Sequence, residues 1–469
     1  MSPIERPAEV QINAWAGDTP NRDPLPRRTP WAQREVSRKP STWLAPAAPV
    51  DARDWSHPEV GWGLVLHEKP GLSHEELARA DDAPEAIRRL LAARPGSPVL
   101  RWNPELQQGY LRRYYPGTNK AQDLATAAPR PGTSEGRIPR YLLIYGTPEQ
   151  IPWPVQYALN MSTFVGRLDL PPGPGLDNYV NALIEDWPGE KSNPLAPLIW
   201  NVDHGSDDIT WLMARGIGGR LWELFEKDKD LVGRRRLTGV DATAAKLVTG
   251  LQEHKPGLVV TTSHGMTGPL DDSDAIRASL GLPVDLNHQP LALDHIAKWR
   301  PAGAIWYAHA CCSAGSDRVS RYEQLMGEDA SIGKILRGVA SAAQAMVAPL
   351  PRQLLGAVNP LRAFVGHVEP TFDWTLRDPA TGQLLTHVLL QALYSRLYQT
   401  DRRTPIGFAL HEVFVEAGAF YGQWQDAIVA INHNQPGARD WALYRQLVAM
   451  DRQTLVILGD PTVSLPAPG

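Results

Sequence analysis

Cysteine is nearly absent: the 469 residues hold two, Cys311 and Cys312, side by side. Adjacent thiols cannot tie distant parts of a chain together, so no disulfide framework is expected and a reducing compartment suits the composition. Long apolar runs are also missing. A membrane helix needs about 18–20 apolar residues in a row, whereas the longest soft stretch, 338–350, is shorter and carries Ser341 and Gln344. Neither sign of charge dominates, with 47 Lys and Arg against 51 Asp and Glu and a net charge of −4. That excludes the basic footprint of a general nucleic-acid binder. The opening MSPIERPAEV lacks the basic-then-apolar order of a secretion signal. The expectation is therefore a cytoplasmic protein with no membrane and no nucleic acid among its partners. What is present is an ordinary globular composition, 43% hydrophobic and 21% charged, on a chain long enough for about three domains of ~150 residues.

Proline punctuates the start. Residues 1–54 are rich in it and have little apolar periodicity, which predicts an extended N-terminal arm, with Trp15, Trp31 and Trp43 as candidate anchors. From 55 to 190 the pattern alternates. Strands are expected at 62–66, 98–102 and 141–145, a helix at 84–93, and loop over the Gly- and Pro-rich residues 116–139. A larger alternation fills 191–469. Its expected strands are 198–202, 258–262, 304–308, 362–368 and 454–458. Its expected helices lie at 209–230, 242–251 (capped by Asp241), 293–299, 332–345 and 383–398. Near-continuous apolar strands alternating with helices predict an α/β protein with a parallel sheet covered on both faces.

Four familiar motifs fail on inspection. Gly327 to Gly333-Lys334 has one residue too many for a phosphate loop, and Ile335 stands where a magnesium-binding hydroxyl is needed. Gly216-Ile217-Gly218-Gly219 lacks the third glycine of a dinucleotide fingerprint, because position 221 is Leu. His74-Glu75 and His411-Glu412 miss the second histidine of a zinc helix. Ser313 lacks the glycine that opens a serine nucleophile elbow. No cofactor and no metal are expected.

Two apolar strands end in chemically capable residues. One runs Leu258-Val259-Val260-Thr261-Thr262 into Ser263-His264-Gly265, and the other runs Ala304-Ile305-Trp306-Tyr307-Ala308 into His309-Ala310-Cys311-Cys312. Ligands of open α/β sheets bind at the carboxyl ends of the strands. The 47 positions from His264 to Cys311 leave room for a parallel crossover, and neighbouring strands lie ~4.8 Å apart. A thiol of ordinary pKa near ~8.5 is mostly protonated at neutral pH and needs a base to act as a nucleophile. Gly265 lets its N–H approach a substrate carbonyl, and with the Cys311 N–H it would make an oxyanion hole. Acyl transfer through a thioester is the reaction such groups support. His204, in a second His-Gly, and His309, on the cysteine's own strand, are less well placed than His264.

At these residues the chain resembles the caspase–gingipain superfamily of cysteine peptidases, in which an apolar strand ending in His-Gly precedes one ending in Ala-Cys. Residues 141–152, Val165-Gly166-Arg167-Leu168, Asp177-Asn178-Tyr179-Val180 and Leu458-Gly459-Asp460-Pro461 are similar to segments of the gingipain-like branch. The likeness covers roughly residues 60–465. It implies a caspase-like sandwich preceded by a smaller α/β subdomain, with units at 1–54, 55–190 and 191–469. It also implies a bacterial cysteine endopeptidase with Cys311 as nucleophile, His264 as acid and base, and Gly265 in the oxyanion hole. Cys312 is the less favoured thiol.

By the same resemblance an acidic pocket would select basic residues. Asp203, Asp207 and Asp208 are its candidates, with Glu369, Asp373 and Trp374 as a second wall. Asp207 and Asp208 also suit the N-terminus of the helix that follows. The segment 266–290, with Asp271, Asp272 and Asp274, is either a loop over the site or plain surface. The expected partners are a protein or peptide substrate and a regulatory protein, with the arm as another candidate restraint. Two further readings use the same residues, a catalytically silent interaction scaffold and a Cys-dependent transpeptidase or amidase.

Overall fold

A computed structural model describes residues 8–17, 22–24, 50–189, 191–323, 326–327, 329–398 and 402–467. The arm tryptophans Trp31 and Trp43 lie outside the described residues.

The apolar runs assemble into one 12-stranded sheet. From one edge its first six strands are Arg235–Leu237, Leu198–Asn201, Leu258–Thr262, Ile305–His309, Ala363–His367 and Leu455–Gly459. The sheet continues through Phe164–Leu168, Tyr141–Tyr145, Trp62–His67, Val99–Trp102, Tyr110–Tyr114 and Ala121–Ala125. It thus runs unbroken across the boundary expected near residue 190. The central strands are buried on both faces, which is why they read as continuous rather than alternating hydrophobic runs.

The strands from Arg235–Leu237 through Ala363–His367 are all parallel. Their carboxyl ends therefore share one edge. The strand 454–458 departs from the parallel expectation. Leu455–Gly459 lies antiparallel to Ala363–His367 and parallel to Phe164–Leu168, joining the two halves of the sheet. It enters from the opposite direction because a helical hairpin, Ile406–Asn432 and Ala438–Thr454, returns the chain to that end. No apolar periodicity singled out this hairpin in the sequence.

Other corrections are local. Residues 116–139 contain a strand, Ala121–Ala125, paired in a hairpin with Tyr110–Tyr114. The helix expected at 242–251 is Ala244–His254 with Thr243 as its cap, and Asp241 sits in the single turn before it. Thr243 prevails because its hydroxyl accepts the Lys246 N–H. The helical stretch expected at 209–230 passes through a wide turn at Ala214–Gly219. There a Cβ on Gly218 would come within 1.7 Å of the Asn201 side chain, so these glycines allow a helix to lie directly on a strand.

The two halves are fastened at Asp460. Its carboxylate accepts from Trp62 Nε1 at 3.0 Å and Arg94 Nη1 at 3.1 Å, and its N–H donates to Tyr179 Oη at 2.7 Å. Both members of the Arg94–Asp460 pair are buried. Next to it, a Cβ on Gly166 would sit 2.0 Å from the Gly459 carbonyl oxygen, so only glycine permits that strand pairing. Asp460→Ala strands the buried guanidinium at a cost of about 3–5 kcal/mol. We expect Asp460→Ala and Gly166→Ala to lower the thermal unfolding midpoint, while Val358→Ser, at an exposed position, leaves it in place.

Candidate active site

His264 leaves the strand Leu258–Thr262 and immediately enters a second, short strand, His264–Met266. Its imidazole is fully buried, and Nε2 lies 2.9 Å from Asp208 Oδ2. Asp208 caps the helix Ile209–Met213, so its other oxygen accepts the Thr210 N–H at 2.7 Å and hydroxyl at 2.5 Å. Burial pushes the Asp208 carboxyl up, but the His264 hydrogen bond and charge, then Thr210, hold it down at about 2. An ionised carboxylate only accepts, so Nε2 carries the proton and, in the neutral ring, Nδ1 is left with a free lone pair. Nδ1 is buried and has no protein partner among the described residues. The ring is thus held in place by a carboxylate through Nε2.

Cys311 lies one turn past its strand, which pairs in parallel with the histidine strand from Leu258↔Ile305 to Thr262↔His309. The chain turns sharply here: Cys312 has φ +54°, in the left-handed region that costs a non-glycine residue energy. Cys311 Sγ accepts the Thr371 N–H at 3.3 Å. Burial raises the Cys311 thiol well above its ordinary range, the adjacent Cys312 adds to this, and the Thr371 N–H opposes it. The Cys312 thiol is raised by burial as well. Its N–H donates to the Glu369 carbonyl at 3.3 Å, fixing the turn.

Gly265 brings the two loops together. A Cβ there would stand 2.0 Å from the Cys311 carbonyl oxygen. With none, the N–H groups of Gly265 and Cys311 converge on a single acceptor, the carbonyl oxygen of Asn13, each at 3.3 Å. Asn13 belongs to the N-terminal arm. The arm continues as Ala14–Trp15, pairing in parallel with Gly265 and Met266, and Trp15 stacks on His288 with its ring 5.8 Å from that of His264.

The structure brings the Gly265 and Cys311 backbones together, with His264 one residue before Gly265, and distributes the other candidates as follows. Asp208 is the partner of His264, not part of a substrate pocket. Asp203 is tied to Arg215 at 2.8 Å and to the Gly205 N–H. Asp207 is exposed, and its carbonyl holds Gln11 and Arg22 of the arm. The Glu369 carboxylate accepts the Ser320 hydroxyl and the Arg321 N–H. Burial raises it to about 7, against the pull of those bonds. Asp373 accepts the Gln11 N–H at 3.5 Å, and burial lifts it to about 6. Trp374 is buried in an apolar cluster with Val10, Ile12 and Phe372. The segment 266–290 is packed structure, carrying the helix Ser273–Ser279 capped by Asp272.

His204 lies closer than expected, its ring stacked 5.6 Å from that of His264. Donor atoms of His204, Asp208 and His264 lie within 4.8 Å of one another, a set able to hold a cation. Any cation there competes for Asp208 with His264 and Thr210. His309 is buried and hydrogen-bonded to Tyr307 Oη at 2.9 Å. Trp15 anchors the arm as its type suggested, whereas no sequence signal pointed to Asn13 or Thr371. Nothing in a Pro-rich arm marks Asn13, and Thr371 contributes only its backbone.

No protein-family model matches the chain, and no curated protein matches it. One solved structure, titled "Structure of Protease", aligns over 88% of this chain and 80% of that one, at 9% identity and a TM-score of 0.47. At that level the likeness decides neither topology nor activity.

The depressed Asp208 carboxyl has a measurable consequence. Its contribution to stability is complete above the unfolded-state value near ~3.9 and is lost as pH falls through about 2. In urea unfolding from pH 6 to pH 2, the stability gap between the parent and Asp208→Asn should be widest at the upper end and narrow below pH 4.

Proposed function

We propose that the protein is a cysteine endopeptidase of the caspase–gingipain type, with Cys311 as nucleophile and His264 as acid and base. One observation carries this reading: two backbone N–H groups, from Gly265 and from Cys311, converge on one peptide carbonyl oxygen. Donors so placed stabilise the oxyanion of a tetrahedral intermediate, at about 3–4 kcal/mol each. Asp208 supports the same reading by accepting from Nε2, which leaves Nδ1 as the ring nitrogen available for proton transfer.

In this reading the Cys311 thiol passes its proton to His264 Nδ1 as sulfur attacks the substrate carbonyl carbon. The oxyanion settles between the two N–H groups. The C–N bond then breaks, the leaving amine takes the proton from Nδ1, and a thioester remains. Water, deprotonated by the same nitrogen, attacks the thioester and releases the acid, and the thiol regains its proton. Asp208 keeps the ring in one tautomer and offsets the charge it gains.

Of the three aspartates that could line an acidic pocket, two are already paired. Asp208 is committed to His264 and Asp203 to Arg215, which leaves Asp207 alone. A transpeptidase or amidase would share the thioester and differ in its acceptor, so an added amine separates these readings. Among the described residues no helix is long and apolar enough to cross a membrane. A cytoplasmic setting and restraint by a regulatory partner belong to the proposal.

Digestion of a peptide pool, followed by mass spectrometry, tests it. Cys311→Ala and His264→Ala should each lower turnover by on the order of 10⁴-fold, and Asp208→Asn by roughly 10²-fold. Cys312→Ala should keep most of it. Cleavage that survives Cys311→Ala and vanishes with Cys312→Ala would show that the wrong sulfur was assigned.

A further inference from the structure

The arm lies across the candidate site as an extended peptide, bonded on both sides of one carbonyl. Before that carbonyl, the Gln11 N–H reaches Asp373, Ile12 forms an antiparallel bridge with Phe372, and the Asn13 N–H donates to the Thr371 carbonyl at 3.1 Å. After it, Ala14 and Trp15 pair with Gly265 and Met266, and the Thr267 N–H donates to the Trp15 carbonyl at 3.2 Å. Thr371 receives the Asn13 N–H through its carbonyl and offers its own N–H to Cys311 Sγ. The thiol and the arm thus meet at one residue. This is strand addition to an edge, where the main chain gives affinity and side-chain pockets give selectivity.

The pockets can be read from what fills them. Val10 and Ile12 are fully buried, in the cluster that includes Phe372 and Trp374. The Asn13 side chain is fully buried as well. Its Nδ2 lies 3.4 Å from the His309 carbonyl oxygen and 3.2 Å from Met213 Sδ, both acceptors, while Oδ1 has no donor among the described residues. Recognition therefore rests on the NH₂ group. An aspartate would set negative oxygens against the same acceptors, and a longer cationic chain would have to displace Met213.

Resting on the peptidase reading above, we infer that residues 10–15 occupy the site in substrate register, and that the preferred substrates are peptides with Asn before the scissile bond and β-branched apolar residues one and three positions earlier. The same contacts make the arm a built-in competitor for the site. They contribute to the burial of Cys311.

Two measurements on the full-length chain test this, alkylation of Cys311 by iodoacetamide and hydrolysis of coumarin reporters. The reporters are Val-Gln-Ile-Asn, Val-Gln-Ile-Arg and Val-Gln-Ile-Asp amides. The variants are Val10→Asp/Ile12→Asp, which removes the apolar anchors, and Asn13→Asp, which is isosteric and needs no repacking. In both, Cys311 should label roughly tenfold faster or more than in the parent, and the Asn reporter should be cut at least about tenfold faster than the other two. Equal labelling in parent and variants overturns the strap. Faster cleavage of the Arg or Asp reporter overturns the register while leaving the peptidase intact. If labelling accelerates but no reporter is cut, the peptidase reading itself fails.

Discussion

Gly265 and Cys311 touch backbone to backbone, with no space for a Cβ at position 265. The paired N–H groups of the candidate site depend on that contact. Because the two loops close to this distance, their N–H groups point at one place. Because the loops leave adjacent parallel strands, the contact is held by the sheet. A larger residue at 265 would push the histidine loop away from the cysteine turn and separate the two donors. The geometry is thus made by absence of a side chain, on a scaffold rigid enough to make that absence count.

The scaffold supplies rigidity by burying its strands on both faces and by placing the closing strand, Leu455–Gly459, in the middle of the sheet. That arrangement brings the end of the closing strand against the first half of the sheet. Asp460, buried among Trp62, Arg94 and Tyr179, belongs to both halves. The site lies at the carboxyl ends of the parallel strands, where loops are free to differ while the strands stay fixed.

Electrostatics divides the labour between two buried groups. Asp208 is kept ionised by hydrogen bonds, and the imidazole it holds presents a free nitrogen. The cysteine is kept neutral by burial. That burial is partly the work of the arm, whose Asn13 carbonyl sits where the two N–H groups meet. In the proposed enzyme, displacing the arm would hydrate the thiol, remove part of the desolvation that raises it, and open the site in one event.

Much of this was legible in the sequence. The strands at residues 141–145 and 258–262 fall where their apolar runs placed them, since a strand buried on both faces must be hydrophobic throughout. The approach of Gly265 to Cys311 was legible too, because parallel neighbours with short exits leave few alternatives. Asp208 was found but given another task, for its sequence context describes a helix cap equally well, and it is one. The direction of the closing strand and the position of Asn13 could not be read. Both depend on segments far apart in the chain meeting across the sheet, and local pattern carries no information about which distant surface a strand or an arm will cover. Composition and periodicity therefore determined the sheet and the residues at its rim. Tertiary packing alone decided that a carboxylate stands behind the imidazole and that a peptide from the chain's own beginning lies over the thiol.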